Sequence, residues 1–450
     1  MLHWFYDIDI VDGPLPVAVW TVSAVGAVLL VLRRPTRRPT RRPTRRWLVV
    51  ASVSMLVGAA LGLTLVAIVD ASGVVGVPLP TPTAPWIAAL FAAIGLAIAS
   101  MVRSSRKRKV AAVALIVLGL LSATLGVNAG FGINRTIGSA LGVSTGNAID
   151  GLSRPQPAPT GTAPVTSTPL YASWDPPSDM PATGKTGLLT GADAISSSSA
   201  FVPREASIYL PPAAQVANPP ALPLVVMMMG QPGNPQPDFI AAALDEVAAK
   251  NKGLAPIVII ADQLGNPDTD PVCADSARYG GVDTYFNKDI VAYAKSRLNI
   301  LQDPQYWTIA GYSNGGSCAF TWASKYPEIW GNLVDISGNE WPGDENEAAA
   351  IADGYGGDAG AFAAAKPAAW LQKNAGKFTS HVAIFTAGEN DPEYTQFAAN
   401  NAALAEAAGF TTKNYVVPGA DHVVTALRGG LPYAFTELYP RLGLAAPPSS

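Results

Sequence analysis

Gly311-Tyr312-Ser313-Asn314-Gly315 holds a serine with a glycine two residues to either side. The apolar run YWTIA, 306–310, precedes it, and a helical pattern follows Gly316. In a strand–turn–helix setting, G-x-S-x-G lifts a serine hydroxyl clear of a sheet edge for nucleophilic attack. The glycines matter sterically, because a strand turning sharply into a helix brings two backbone segments together. A serine needs a general base, and histidine is the usual one. The chain has three: His3, His381 and His422. His3 precedes the first long apolar run. His381 opens the run VAIFT, at the edge of a parallel sheet opposite the one where Ser313 emerges. His422 follows the run YVV and a Pro-Gly-Ala-Asp loop, on the serine's own edge, and is the base by elimination.

A third group must orient the imidazole and stabilise its charged form. Asp391 is the preferred carboxylate, just past VAIFT in Gly388-Glu389-Asn390-Asp391-Pro392, with Glu389 as runner-up. Asp421 adjoins His422 and is poorly placed to reach its neighbour's ring. Ser313, Asp391 and His422 occur in the chain order of the nucleophile-elbow hydrolases. Their shared placement past strand ends is far more specific than the pentapeptide. An oxyanion formed at the attacked carbonyl needs preorganised donors. The Asn314 backbone N–H supplies one. The other is expected from Gln231 in Gly230-Gln231-Pro232-Gly233, since Pro232 has no N–H.

These groups require a sheet to position them. Strands are predicted over 206–210, 222–229, 257–261, 306–310, 333–336, 382–386 and 415–417. Helices are predicted over 238–250, 285–298, 317–325 and 397–408. Short apolar strands alternating with helices imply a doubly wound α/β fold with a mostly parallel sheet.

The rest of the chain is different in kind. Only 14% of the 450 residues are charged, against roughly 25% in soluble domains. Residues 1–150 hold 14 Lys/Arg against 5 Asp/Glu, a balance of +9, and residues 151–450 balance at −12. Four uncharged apolar runs, 14–32, 47–69, 86–102 and 110–127, are each near the ~20 residues that cross a bilayer core. Residues 1–13 carry Asp7, Asp9 and Asp12 and no basic residue, unlike a signal peptide, so the first run is read as a spanning helix. The Arg-rich repeat 33–46 and the basic stretch 103–109 are expected to be cytoplasmic loops under the positive-inside rule. The remainder then lies outside the cell. No run has a charge in its middle, so an anchor is expected rather than a transporter. The expected organisation is a four-span region over 1–133, a Pro/Thr/Ser-rich linker over 134–170 and an extracytoplasmic catalytic domain over 171–450. The acidic balance of that domain argues against nucleic acid as a partner.

The stretch from Asp283 to Gly338, with the segments REASIYLPP and HVVTALRGGLPYAF, resembles the esterase D-type branch of the α/β-hydrolases. That branch includes feruloyl esterases, enterochelin esterases and the antigen 85 mycolyltransferases. The resemblance covers most of 200–440. It implies an α/β-hydrolase fold, the Ser313–Asp391–His422 triad, and Gln231 and Asn314 as the oxyanion pair. The chain departs from the mycolyltransferases at His422-Val423-Val424, where they carry His-Ser-Trp, and at Met228-Met229-Gly230, where Leu-His-Gly is expected. Mycolyl transfer to trehalose is therefore not supported. The expected activity is hydrolysis of carboxylic esters, with envelope lipids or acylated glycans as substrates and no metal or organic cofactor. Acyl transfer to a sugar or lipid hydroxyl is the alternative, followed by a non-catalytic scaffold. Cys273 and Cys318 are as consistent with a disulfide bracing the site as with two buried thiols. Trp341 is the tryptophan best placed by sequence to line a cleft.

Overall fold

The computed structural model describes residues 3–32, 44–72, 79–132, 134–141, 146–152 and 168–447. Most of the Arg-rich repeat and residues 153–167 of the expected linker lie outside these. The chain divides into two compact units, Met1–Thr145 and Gly146–Ser450.

The first unit is built on helices α1 (Pro14–Leu32), α2 (Arg45–Ser72), α3 (Thr83–Met101) and α4 (Arg106–Phe131). All four are long and apolar enough to cross a membrane. Small residues set how closely they pack. A Cβ on Gly58 of α2 would lie 2.2 Å from the Phe91 carbonyl oxygen of α3, and one on Gly95 would lie 2.2 Å from the Ser54 oxygen. Such backbone approach is how helices associate where burial of apolar surface supplies no driving force. Trp20 stacks on Trp86, and the Ser23 and Ser122 hydroxyls meet at 2.8 Å.

The second unit is an eight-stranded sheet. Its strands are β1 (Lys185–Leu188), β2 (Ser207–Leu210), β3 (Leu224–Met228), β4 (Ile257–Ile260), β5 (Trp307–Tyr312), β6 (Asn332–Ile336), β7 (Val382–Gly388) and β8 (Thr411–Val417). Their spatial order is β1-β2-β4-β3-β5-β6-β7-β8. The β1–β2 and β2–β4 pairs are antiparallel and all others parallel. This is the α/β-hydrolase fold. Strands β3 to β6 are buried along their whole length, as their apolar runs require of a sheet covered on both faces. Helices α5 (Asp238–Lys250), α6 (Asn314–Lys325), α7 (Pro392–Ala408) and α8 (Val424–Leu438) cover it.

Several elements differ from expectation. β1 was not anticipated, because KTGL carries no apolar alternation and forms by pairing with β2. Within the stretch expected as linker, Ala148 bridges to Leu188 and Ile149 is buried. Helix α8 contains Gly429, Gly430 and Pro432, all local helix breakers. Burial of Leu427, Leu431, Phe435 and Leu438 overrides that signal. The glycines are there for fit: a Cβ on Gly429 would lie 2.1 Å from Val417.

Candidate active site

Ser313 sits between β5 and α6 with φ of 54° and ψ of −122°, a region that L-residues avoid. Its backbone N–H donates to the Ile336 carbonyl at 2.9 Å, which ties the turn to β6. The flanking glycines are steric necessities. A Cβ on Gly311 would lie 1.9 Å from the Gly315 oxygen, and one on Gly315 would lie 2.7 Å from both Met228 Cβ and the Met229 oxygen. The strained backbone holds the hydroxyl outward at the N-terminus of α6, where the helix dipole favours negative charge.

The structure brings Ser313, His422 and Asp391 together. The Ser313 hydroxyl lies 3.0 Å from His422 Nε2, and His422 Nδ1 lies 2.7 Å from Asp391 Oδ2. All three are buried, Asp391 completely. A buried carboxylate accepts from Nδ1–H, which leaves Nε2 free to accept the serine proton. Asp391 starts the turn into α7, where Pro392 occupies the first helical position. The Tyr312 hydroxyl donates to the His422 backbone oxygen at 2.6 Å, and the Tyr394 ring packs 4.0 Å from the imidazole between centroids. The imidazole is therefore held from its backbone, its ring face and its Nδ1 edge.

The other candidates fall elsewhere. Glu389 accepts from the Gly419 N–H at 2.7 Å. His381 is buried against Phe378 and Phe410, with Nε2 2.8 Å from the Pro327 oxygen. Trp341 packs against the small apolar cluster of Val272, Ala350 and Phe362, under the Lys366 ammonium. Trp307, Trp322 and Trp330 are core residues.

The loop after β3 lies directly against the serine, since a Cβ on Gly230 would touch Ser313 Cβ at 3.0 Å. Gln231 and Asn314 thus lie on the two segments flanking the Ser313 side chain. Cys273 and Cys318 form a disulfide with Cα atoms 5.3 Å apart, joining the loop after β4 to α6. The Trp322 indole donates to the Cys273 oxygen, which braces the same junction.

Beside this site is a cavity of about 160 Å³. Gln231, Asp270, Glu345 and Asp353 bring polar groups to it, and Val272 and Ala350 supply an apolar wall. Asp270 accepts from the Val272 backbone N–H at 2.8 Å, and Glu345 accepts from the Tyr394 hydroxyl at 3.0 Å. Burial, with Glu345 nearby, pushes the Asp270 carboxyl above the usual carboxylate range. Nothing in the local sequence signalled this cavity, because its walls come from three separate loops.

The chain is similar to several known proteins. Solved structures similar to this chain include an S-formylglutathione hydrolase from Agrobacterium tumefaciens, at 16% identity and a TM-score of 0.44 over 58% of this chain and 96% of that one. A ferulic acid esterase matches at 15% identity and 0.43, over 58% and 96%. A fluorophosphonate-binding serine hydrolase of Staphylococcus aureus matches at 15% and 0.42, over 57% and 97%. An uncharacterized protein of Corynebacterium glutamicum is 32% identical over 256 residues, which span 55% of this chain and 60% of that relative's length. The family model described as "Putative esterase" matches residues 197–434, just over half the chain and the whole stretch from Ser313 to His422. The chain belongs to the Esterase family.

Proposed function

We propose that the second unit hydrolyses carboxylic esters by a serine mechanism. Ser313 attacks the ester carbonyl while His422 takes its proton. His422 then donates that proton to the departing alcohol oxygen. Water attacks the acyl-serine with His422 again as base, which releases the acid and restores the hydroxyl. Asp391 orients the imidazole and stabilises its charged form. The backbone N–H groups of Gln231 and Asn314 hold the oxyanion in both steps. The observation that carries this reading is the unbroken Ser313–His422–Asp391 hydrogen-bond chain on a strained elbow. The test is turnover of p-nitrophenyl acetate by the full-length protein in detergent. The wild type should turn over, and Ser313→Ala and His422→Ala should both lose that activity.

The carboxylates of the cavity favour a substrate with a hydroxyl-rich portion, such as an acylated glycan, over a long alkyl chain. An alkyl chain there would strip water from the carboxylates without offering them a donor, a costly arrangement. Sugar hydroxyls would donate to them. An acetylated oligosaccharide should therefore show higher kcat/KM than p-nitrophenyl palmitate, and Asp270→Asn should shrink the difference. Faster turnover of the palmitate, unchanged by Asp270→Asn, would overturn the glycan preference.

The first unit is proposed to anchor the enzyme as a four-span membrane region over 1–133, followed by a linker over 134–170. The basic stretches at 33–46 and 103–109 support a cytoplasmic position for both. The Cys273–Cys318 disulfide supports an oxidising, extracytoplasmic location for the catalytic domain, residues 171–450. Protease added to intact cells should cleave the catalytic domain from the anchor, whereas protection of that domain would reverse the topology.

A further inference from the structure

Gln263 follows β4, and nothing in the triad logic requires it. Its side chain is buried, with 3% of its surface exposed. Nε2 donates to the Met229 carbonyl at 2.6 Å and to Asn314 Oδ1 at 3.0 Å. The orientation of the amide is fixed by chemistry, because the Met229 carbonyl only accepts. Both hydrogens of the Nε2 amide are therefore used. Met229 begins the loop that carries the Gln231 N–H, and Asn314 carries the other N–H of the proposed oxyanion pair. The ladder between β3 and β5 ends at Met228 and Gly311, short of both segments. Gln263 thus bridges them where the sheet no longer does.

Its neighbour extends the clamp. Asp262 pairs with Arg204 at 2.7 Å, and Arg204 donates to the Gly233 carbonyl at 2.8 Å and to Asn234 Oδ1 at 2.6 Å. Consecutive residues after β4 therefore hold the oxyanion loop at both its ends. The Asn314 side chain is gripped by Gln263 through its oxygen.

We propose that Gln263 is a positioning residue that sets the spacing between the two oxyanion donors. It transmits the placement of Asn314 to the loop carrying Gln231. The proposal rests on the serine-hydrolase reading above. A donor pair held at the correct spacing contributes only where charge develops, so its loss lowers kcat and leaves ground-state binding alone.

The test uses the full-length protein in detergent. Gln263→Met keeps length and removes both donors. It should lower kcat roughly 10- to 100-fold with KM within about twofold. Affinity for a phenylboronic acid, whose serine adduct is tetrahedral and anionic, should fall by a similar factor. Asn314→Ala keeps the backbone N–H and removes the side-chain amide, including the oxygen that Gln263 grips. It should show the same pattern at smaller size, and serves if Gln263→Met does not fold. Wild-type kcat and boronate affinity in a folded variant would overturn the proposal, as would a loss of activity that follows KM alone. An inactive wild type would instead refute the serine-hydrolase reading itself.

Discussion

The two units use the same small residue for opposite ends. In the helical unit, Gly58 and Gly95 let two long helices touch backbone to backbone, and the gain is association. In the catalytic unit, Gly311 and Gly315 let a strand fold back against its own helix, and the gain is a strained serine. The first use is repeated and forgiving, because neighbouring small residues share the contact. The second is singular, because one turn carries the nucleophile. Tolerance to substitution should therefore differ sharply between them, and so should the property that is lost.

The largest contrast lies in chemistry against stability. Ser313→Ala should lower kcat at least 10³-fold, by order of magnitude, with a thermal midpoint close to wild type. A deep loss of stability together with activity would show that the serine is structural. Gly311→Ala comes next. Its Cβ would overlap the Gly315 oxygen, so soluble folded protein should be lost outright. Gly58→Ala in the helical unit should loosen the bundle in detergent while ester turnover per folded molecule stays at the wild-type level. Equal catalytic damage from both glycine changes would break the comparison.

Two smaller effects sharpen it within the catalytic unit. Reducing the Cys273–Cys318 bridge, which closes a loop across 45 residues, should lower unfolding stability by about 3–4 kcal/mol. Denaturant melts with and without reductant measure this, and identical midpoints would contradict it. Asp335 gives a direction with pH. Its carboxyl is buried beneath α6, close against Gly316 and Gly338, and burial pushes it up to about 8 from the ordinary 3.8. The folded state then keeps a proton that the unfolded chain has lost. Stability should fall as pH rises from about 4 to about 8, by at most ~1.4 kcal/mol per unit, and level off above that. Asp335→Asn should flatten this dependence, and a slope unchanged in the variant would place its origin elsewhere.

How much of this was legible in the sequence follows from where each signal lives. Apolar runs are local, so the four long helices and the buried strands could be read directly. Ser313, Asp391 and His422 could be read because each follows a recognisable strand, and strand ends share one edge of a parallel sheet. Helix α7 begins at Pro392, five residues before the apolar pattern suggested, because its first turn is polar and is set by the proline. Gln263, Arg204 and Asp270 were not legible. The partners of Gln263 and Arg204 lie 29 to 58 residues away, on segments brought together only by the crossover of β3 and β4. The same holds for β1, whose four residues become a strand only against β2.

The central claim is that the Ser313–His422–Asp391 chain makes Ser313 a nucleophile. The most direct measurement treats full-length protein with a fluorophosphonate and locates the adduct by peptide mass spectrometry. The account predicts one adduct per chain, on Ser313, absent in Ser313→Ala and strongly slowed in His422→Ala. Folded wild-type protein that carries no adduct, or carries it on another residue, would contradict it.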